Sequence, residues 1–257
     1  MGNFTDAPHR DAWFNRSVMQ SGASTESIDS VIEYFCAKLA QIEYFAVWRD
    51  ELGALAPRMA GTKATDALAD SRGRSCNDWA VRTIAPAAFD FWARVTEDQA
   101  DADRARAWTE RMRALPPLGD DESARAAARI VQGALADAET ASHAPPIDGS
   151  VGEDPMWGLR SPGWQAAQAA RFVAYNACNA CYFTSCTSRA DYAAKSVSGA
   201  ASAAYALVTD RLIDDWTAAE VLLREASRPL VEPWWRNLWD ESLAQVTRLI
   251  EMTEAGA

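Results

Sequence analysis

Two cysteines three residues apart, Cys178 and Cys181, have a spacing that could support chemistry. A Cys-x-x-Cys pair exchanges disulfides when its first cysteine begins a helix after a strand, because the helix dipole lowers the thiol pKa there. The alanine-rich surroundings predict instead that both cysteines lie within one helix. A zinc site needs a second ligand pair, and the spacing of Cys36, Cys76 and Cys186 supplies none. We therefore expect small side chains in a helical core.

Tyrosine and asparagine side chains recur at helical spacing around these cysteines. Tyr175, Asn179 and Tyr182 fall on one face of the predicted helix, in a stripe that begins at Phe172. Together with Cys178 and Cys181 they could line a pocket between helices for a small molecule. The alternative is an ordinary packing seam whose polar tips reach water.

Aspartates cluster at Asp210, Asp214 and Asp215. Carboxylates one helical turn apart can bind Mg²⁺, but the sequence offers no second metal-binding motif. Arg211 precedes Asp215 by four residues, which is the spacing of an intrahelical ion pair. We expect a solvated acidic face, no metal and no cofactor, with Asp214 and Asp215 available to a basic partner.

Adjacent tryptophans, Trp234 and Trp235, follow Pro233 at the start of the last predicted helix. Only one of two adjacent side chains can join the buried stripe of a helix, so we expect the other to be partly exposed. An exposed tryptophan beside Arg236 is typical of an interface anchor. We predict Trp234, Arg236 and the loop residue Trp157 as partner-binding residues. The alternative is that Trp234 packs under that loop.

Catalytic signatures are missing from the sequence. Its only histidines are His9 and His143, so no His-x-x-x-His metal pair and no plausible Ser/His/Asp set can be assembled. There is also no glycine-rich phosphate loop. We therefore expect no catalytic residues and favour a non-catalytic protein.

Helical hydrophobic periodicity runs through the sequence, and alternating strand patterns are essentially absent. We predict an all-α bundle of about seven to nine helices. Arg72–Arg74 is predicted as a loop, Asn77 as a helix cap, Pro86 as a kink or break, and Pro229 and Pro233 as a turn. The predicted helices cover 24–45, 77–95, 99–115, 120–140, 164–188, 189–226 and 234–253.

One segment, at about 143–163, interrupts the helical pattern. It holds four prolines and four glycines in 21 residues, which excludes regular structure and predicts a long irregular loop. We expect residues 1–257 to form a single all-α domain. Two sub-halves, 1–142 and 164–257, joined by this loop are the alternative.

Charge and composition limit the compartment and the partners. The chain carries 25 basic and 36 acidic residues, a net charge of −11, which disfavours nucleic acid and anionic membranes as partners. Apolar stretches are too short to span a bilayer. No signal peptide is visible and five cysteines suggest no disulfide scaffold, so we expect a cytoplasmic protein. Arginine in place of lysine and abundant alanine suggest a bacterial, GC-rich origin.

Two functional hypotheses follow from these features. The favoured one is a non-catalytic, acidic, tryptophan-rich helical protein that binds a protein partner with a basic surface. An immunity or antitoxin-like protein that masks a basic toxin is one concrete case, because complementary charge speeds association. The alternative is a small-molecule binder or enzyme with an inter-helix pocket in the C-terminal half. Its pocket would use the tyrosines and cysteines above, with Asp214 as an acid or metal ligand. The oligomeric state is left open.

Overall fold

The chain folds into packed α-helices, as predicted. The computed structural model describes residues 20, 25–143, 161–204 and 216–254, with the side chains of the last range from residue 231 onward. These ranges contain no strand and eight helices of 11 residues or more, joined in places by shorter helical segments. The long helices are α1 (Ser30–Ala40), α2 (Asp66–Trp79), α3 (Ala85–Val95), α4 (Gln99–Arg113), α5 (Asp121–Ser142), α6 (Pro162–Tyr182), α7 (Cys186–Ser202) and α8 (Trp216–Glu251).

Side-chain caps fix where these helices begin. A cap accepts hydrogen bonds from backbone N–H groups that have no partner in the first helical turn. Asp120 caps α5 in a reciprocal arrangement with Ser123, which confirms the predicted helix start at Asp120. The first predicted helix differs, because α1 begins only at Ser30 and its cap is the carboxylate of Asp29. The other side-chain caps are Thr65, Asp98, Ser161 and Ser185.

The predicted loop at Arg72–Arg74 is wrong, because these residues lie in the middle of α2. Gly73 is needed there for close packing. A Cβ atom on Gly73 would lie 2.8 Å from the Cα of Cys186 in α7, so only glycine permits this helix crossing. Asn77, predicted as a helix cap, is likewise inside α2 and is buried.

Prolines interrupt the helices less than the sequence suggests. Ahead of Pro86 the chain forms a π-helical segment, Ala80–Ile84, in which the Ala85 N–H donates to the Ala80 carbonyl five residues back. The predicted turn between Pro229 and Pro233 is wrong, because α8 continues through both. Pro233 is exposed, so water can satisfy the carbonyl group that loses its N–H donor.

The C-terminal helices have other boundaries than predicted, because α6 ends at Tyr182 and not near 188, and α8 begins at Trp216 and not at 234. The chain leaves α6 after Tyr182 and enters α7 at Cys186, with Ser185 as the α7 cap. The last described residue before the next gap is Ala204. The predicted 143–163 loop falls mostly outside the described residues.

Buried alanines let the central helices approach closely. Alanine lines the inward faces of α5, α6 and α7, and small side chains allow helix backbones to come near one another. Larger rings, notably Trp92 and Trp239, fill the core elsewhere. One cluster of buried side chains includes residues from both sides of the 143–163 segment.

Candidate functional site

Helix α6 exposes aromatic side chains along one face. The exposed fractions are 48% for Phe172, 53% for Tyr175, 50% for Tyr182 and 42% for Phe183, the residue that follows the helix. Phe172, Tyr175 and Tyr182 are separated by three and seven residues, which keeps them on one side of α6, and Phe183 follows Tyr182 directly after the helix end. We call these four residues the aromatic surface. Large apolar side chains clustered in water usually mark a binding surface.

The opposite face of α6 explains why these rings point outward. That face carries small residues, among them Ala166, Ala170 and Ala177, which are completely buried. Side chains this small allow close contact between α6 and its neighbours α5 and α7, and the space between these helices has no room for aromatic rings. The rings therefore stay on the outer face.

Neighbouring residues of α7 hold two of the rings in place. Phe172 packs over Gly199, where a Cβ atom would come within 2.6 Å of Phe172 Cδ1. Phe183 stacks on Tyr192 with ring centroids 5.0 Å apart. The aromatic surface is thus continuous with α7 and has a defined shape.

A buried arginine fixes the turn that carries Phe183. Arg189 Nε donates to the Phe183 carbonyl oxygen at 2.9 Å, and Arg189 Nη1 donates to Asp70 at 2.6 Å. Burial alone would raise the pKa of Asp70, but hydrogen bonds from Arg74 and Arg189 outweigh it and lower that pKa. Because Asp70 stays ionised, it anchors the α6–α7 turn to α2.

The structure separates the residues predicted to line an inter-helix pocket. Tyr175 and Tyr182 lie on the outer face of α6, and Asn179 is half-buried between them. Cys178 and Cys181 are buried on the inner side. The Cys181 thiol donates to Asn77 Oδ1 on α2 at 3.2 Å. The tyrosines and cysteines therefore do not share one cavity.

Burial makes the two cysteines poor nucleophiles. It raises the pKa of the Cys178 thiol to about 11 and that of Cys181 to about 12. The thiolate is the reactive form, so this Cys-x-x-Cys pair lacks the low pKa of a redox site. Cys36 and Cys76 are completely buried, which also raises the pKa of both thiols.

We expect only Cys186, which is half-buried, to react in the folded protein. Titration with an aromatic disulfide reagent at pH 8 should modify one thiol quickly and the other four only after unfolding in guanidinium. Cys186→Ser should remove the fast phase. Rapid loss of two thiols with formation of a Cys178–Cys181 disulfide would show instead that the pair is redox-active.

The predicted partner-binding residues that are described already have partners within the chain. Trp234 is half-buried, its ring lies 4.9 Å from Phe91, and its Nε1 donates to the Ala200 carbonyl at 2.8 Å. Arg236 donates to both carboxylate oxygens of Glu51, at 2.6 and 3.0 Å. These contacts tie α8 to the rest of the bundle.

Asp214, Asp215 and Trp157 lie outside the described residues. Their proposed contribution to a partner surface stays a prediction.

Arg236 also forms an ion pair with Asp240 at 2.7 Å. The hydrogen bond from Arg236 lowers the pKa of Glu51, and hydrogen bonding to Glu51 raises the pKa of Arg236.

The described residues contain no cluster of three or more His, Cys, Asp or Glu side chains suited to a metal ion. Within the same ranges, each helix is too short or too polar to cross a bilayer. Searches against protein-family models, curated proteins and solved structures found no match to this chain.

Sequence reasoning found part of the aromatic surface. Phe172, Tyr175 and Tyr182 share a visible helical stripe with Asn179. Phe183 lies beyond the helix end, and its stacking partner Tyr192 belongs to the next helix. The signal that could have found Phe183 is the adjacent pair Tyr182–Phe183 directly before the polar run Thr184–Ser185.

Proposed function

We propose that this protein is a non-catalytic helical protein that binds a protein partner, and that the aromatic surface forms part of the contact. The observation that carries the proposal is the exposure of four neighbouring aromatic rings on one face of α6. Tyrosine and phenylalanine are enriched in the buried centres of protein interfaces. Their large rings bury much area and lose little conformational entropy on binding.

The chemistry of the surface favours a protein over a purely apolar ligand. Tyr175 and Tyr182 add hydroxyl groups that can donate and accept hydrogen bonds beside their apolar rings. Asn179, which is half-buried, lies between them in sequence. A polypeptide offers carbonyl groups to such donors and apolar side chains to the rings.

Charge indicates which partner would bind fastest. The net charge of −11 steers a basic protein toward this chain over long distances. A basic toxin masked by an immunity or antitoxin-like protein is the case we regard as most concrete. In that case the aromatic surface contributes affinity and the acidic charge contributes the association rate.

Substitution of the two most exposed tyrosines tests the proposal. Partners should be captured from a lysate of the source organism on the immobilised full chain at 0.1 M salt, identified, and titrated as purified proteins. We expect Tyr175→Ser with Tyr182→Ser to weaken binding of the captured partner by about tenfold or more, as for interface anchors. Higher salt should slow association, because charge steering is screened.

A matched control is Val47→Ser, since Val47 is 56% exposed and lies away from α6. This variant removes exposed apolar area elsewhere and should leave the affinity unchanged. Equal affinity of the double tyrosine variant and the parent would exclude the aromatic surface as the contact. Capture of no partner at 0.1 M salt would count against the proposed function itself.

A further inference from the structure

A cleft of about 350 Å³ opens between α7 and the segment that follows α1. Its size falls within the range of small-molecule sites. It is separate from the predicted inter-helix pocket around Cys178. Its lining side chains include Lys38, Gln41, Ile42, Tyr44, Lys195 and Ser198.

Lysine is concentrated in this cleft. The chain has only three lysines among its 25 basic residues, and Lys38 and Lys195 both line the cleft. Lys63, the third, is exposed on another part of the surface. The two ammonium groups come from helices that are far apart in sequence, so the fold brings them together.

Asp191 lies between the two lysines. Lys195 Nζ is 2.6 Å from Asp191 Oδ2, and Lys38 Nζ is 3.7 Å from Asp191 Oδ1. Lys38 Nζ therefore makes no hydrogen bond within the described part of the chain, although its side chain is only 26% exposed. Asp191 Oδ1 is also buried without a hydrogen-bond donor there.

Lys38 is held by the longer ion pair with Asp191 and by a cation–π contact with Tyr34, whose ring centroid lies 5.6 Å from Lys38 Nζ. An ammonium group has three N–H donors, and partly buried polar atoms without partners are costly. Lys38 Nζ can therefore still donate to an incoming oxygen atom. Glu43 also lines the cleft. The protein's own carboxylates therefore balance the charge of the two lysines, and an anionic ligand must compete with these carboxylates for the ammonium groups.

Apolar and aromatic groups form the rest of the wall. Ile42 and Tyr44 line the cleft, and the Tyr44 ring stacks on Trp235 with centroids 5.1 Å apart and planes 20° apart. Stacking fixes the Tyr44 ring and gives a flat, preorganised surface. A ligand would therefore place an anionic group at the lysines and an apolar body against this wall.

We propose that the cleft binds a small organic anion, with its carboxylate or phosphate group at Lys38 and Lys195 and its apolar part against Ile42 and Tyr44. This site shares no lining residue with the aromatic surface, although Lys195 Nζ lies 4.9 Å from the centroid of the Tyr192 ring that stacks on Phe183. The two proposals can therefore fail separately. The tyrosine double variant should bind the anion as tightly as the parent chain.

The test uses full-length protein labelled with ¹³C only in lysine, which gives one Cε signal for each of three residues. Phenyl phosphate and benzoate serve as the anionic probes, and benzyl alcohol as the neutral one. We expect a saturable shift of the Lys38 and Lys195 signals with at least one anion, and no shift of Lys63. Inorganic phosphate should bind at least tenfold more weakly than phenyl phosphate if the latter binds.

Removing the charge of one lysine at a time distinguishes a defined anion-binding site from general electrostatic attraction of anions to lysine. Lys38→Met should weaken binding at least tenfold, Lys38→Arg should retain most of it, and Lys63→Met should change it less than twofold. Circular dichroism checks that each variant is folded. The absence of saturable shifts with both anions would overturn the proposal. Equal loss in Lys63→Met, or equal binding of benzyl alcohol, would do the same.

Discussion

Replacement of Arg72 by methionine is expected to destabilise the protein by about 3–5 kcal/mol, because it breaks a buried ion pair from one side. Arg72 is 2% exposed and pairs with Asp29 at 3.5 Å. Its Nε and Nη2 donate to the carbonyls of Leu249 and Met252 at the end of α8, and its Nη1 donates to Thr62. Urea-induced unfolding followed by circular dichroism measures the loss.

Arg58→Met is the matched control, since Arg58 holds the same end of α8 through an exposed ion pair with Glu251 at 2.9 Å. Exposed pairs contribute below about 1 kcal/mol. Adding Asp29→Asn should recover part of the Arg72→Met loss, because asparagine keeps the α1 cap but removes the unpaired charge. Equal destabilisation by the two arginine variants would show that the buried cluster is unimportant.

Helix existence was predictable because its causes are local. Apolar spacing in Ile28–Leu39, the acidic start at Asp120–Asp121 and the stripe from Trp235 to Ile250 are features of neighbouring residues. A side-chain cap needs only the three residues after it. The structure confirms a helix at each of these places, although α1 begins only at Ser30 after its cap Asp29, and α8 begins at Trp216, well before the predicted start at 234.

The interpretation of Arg72–Arg74 failed because its cause is not local. Charged residues around a glycine are typical of a loop, and nothing nearby in sequence reveals the backbone of Cys186 against Gly73. Arg72 is buried by residues almost 180 positions away, at Leu249 and Met252. Tertiary packing alone explains why the interior of α2 needs a glycine at position 73 and buries an arginine at position 72.

The same limit applies to the candidate sites. The stripe Phe172–Tyr175–Tyr182 is a property of one helix, so the sequence showed it. The cleft depends on Lys38 and Lys195 meeting across two helices, and no local pattern joins them. The sequence predicts partner-binding roles for Trp234 and Arg236. Only the fold reveals that both side chains already donate hydrogen bonds within the chain, to Ala200 and Glu51.

Replacement of Trp239 by alanine should also cost about 3–5 kcal/mol, since it opens a large cavity in the core. Trp239 is completely buried, and its ring lies 5.2 Å from that of Phe45. Its Nε1 donates to Glu51 Oε2 at 3.1 Å, in the carboxylate that also binds Arg236. The substitution therefore removes packing and a hydrogen bond together. Urea-induced unfolding at pH 7 gives the magnitude.

Trp239→Phe separates the two contributions, because phenylalanine keeps an aromatic ring but has no N–H donor. We expect it to lose less stability than Trp239→Ala. The hydrogen bond from Arg236 is the main cause of the lowered pKa of Glu51. The ionised carboxylate of Glu51 therefore stabilises the fold at pH values above the ordinary carboxyl pKa. That contribution is lost as pH falls through the lowered value. Glu51→Gln should flatten this acid dependence, whereas Trp239→Phe should keep most of it. A Trp239→Ala loss no greater than that of half-buried Trp48→Ala would contradict the central place of Trp239 in the core.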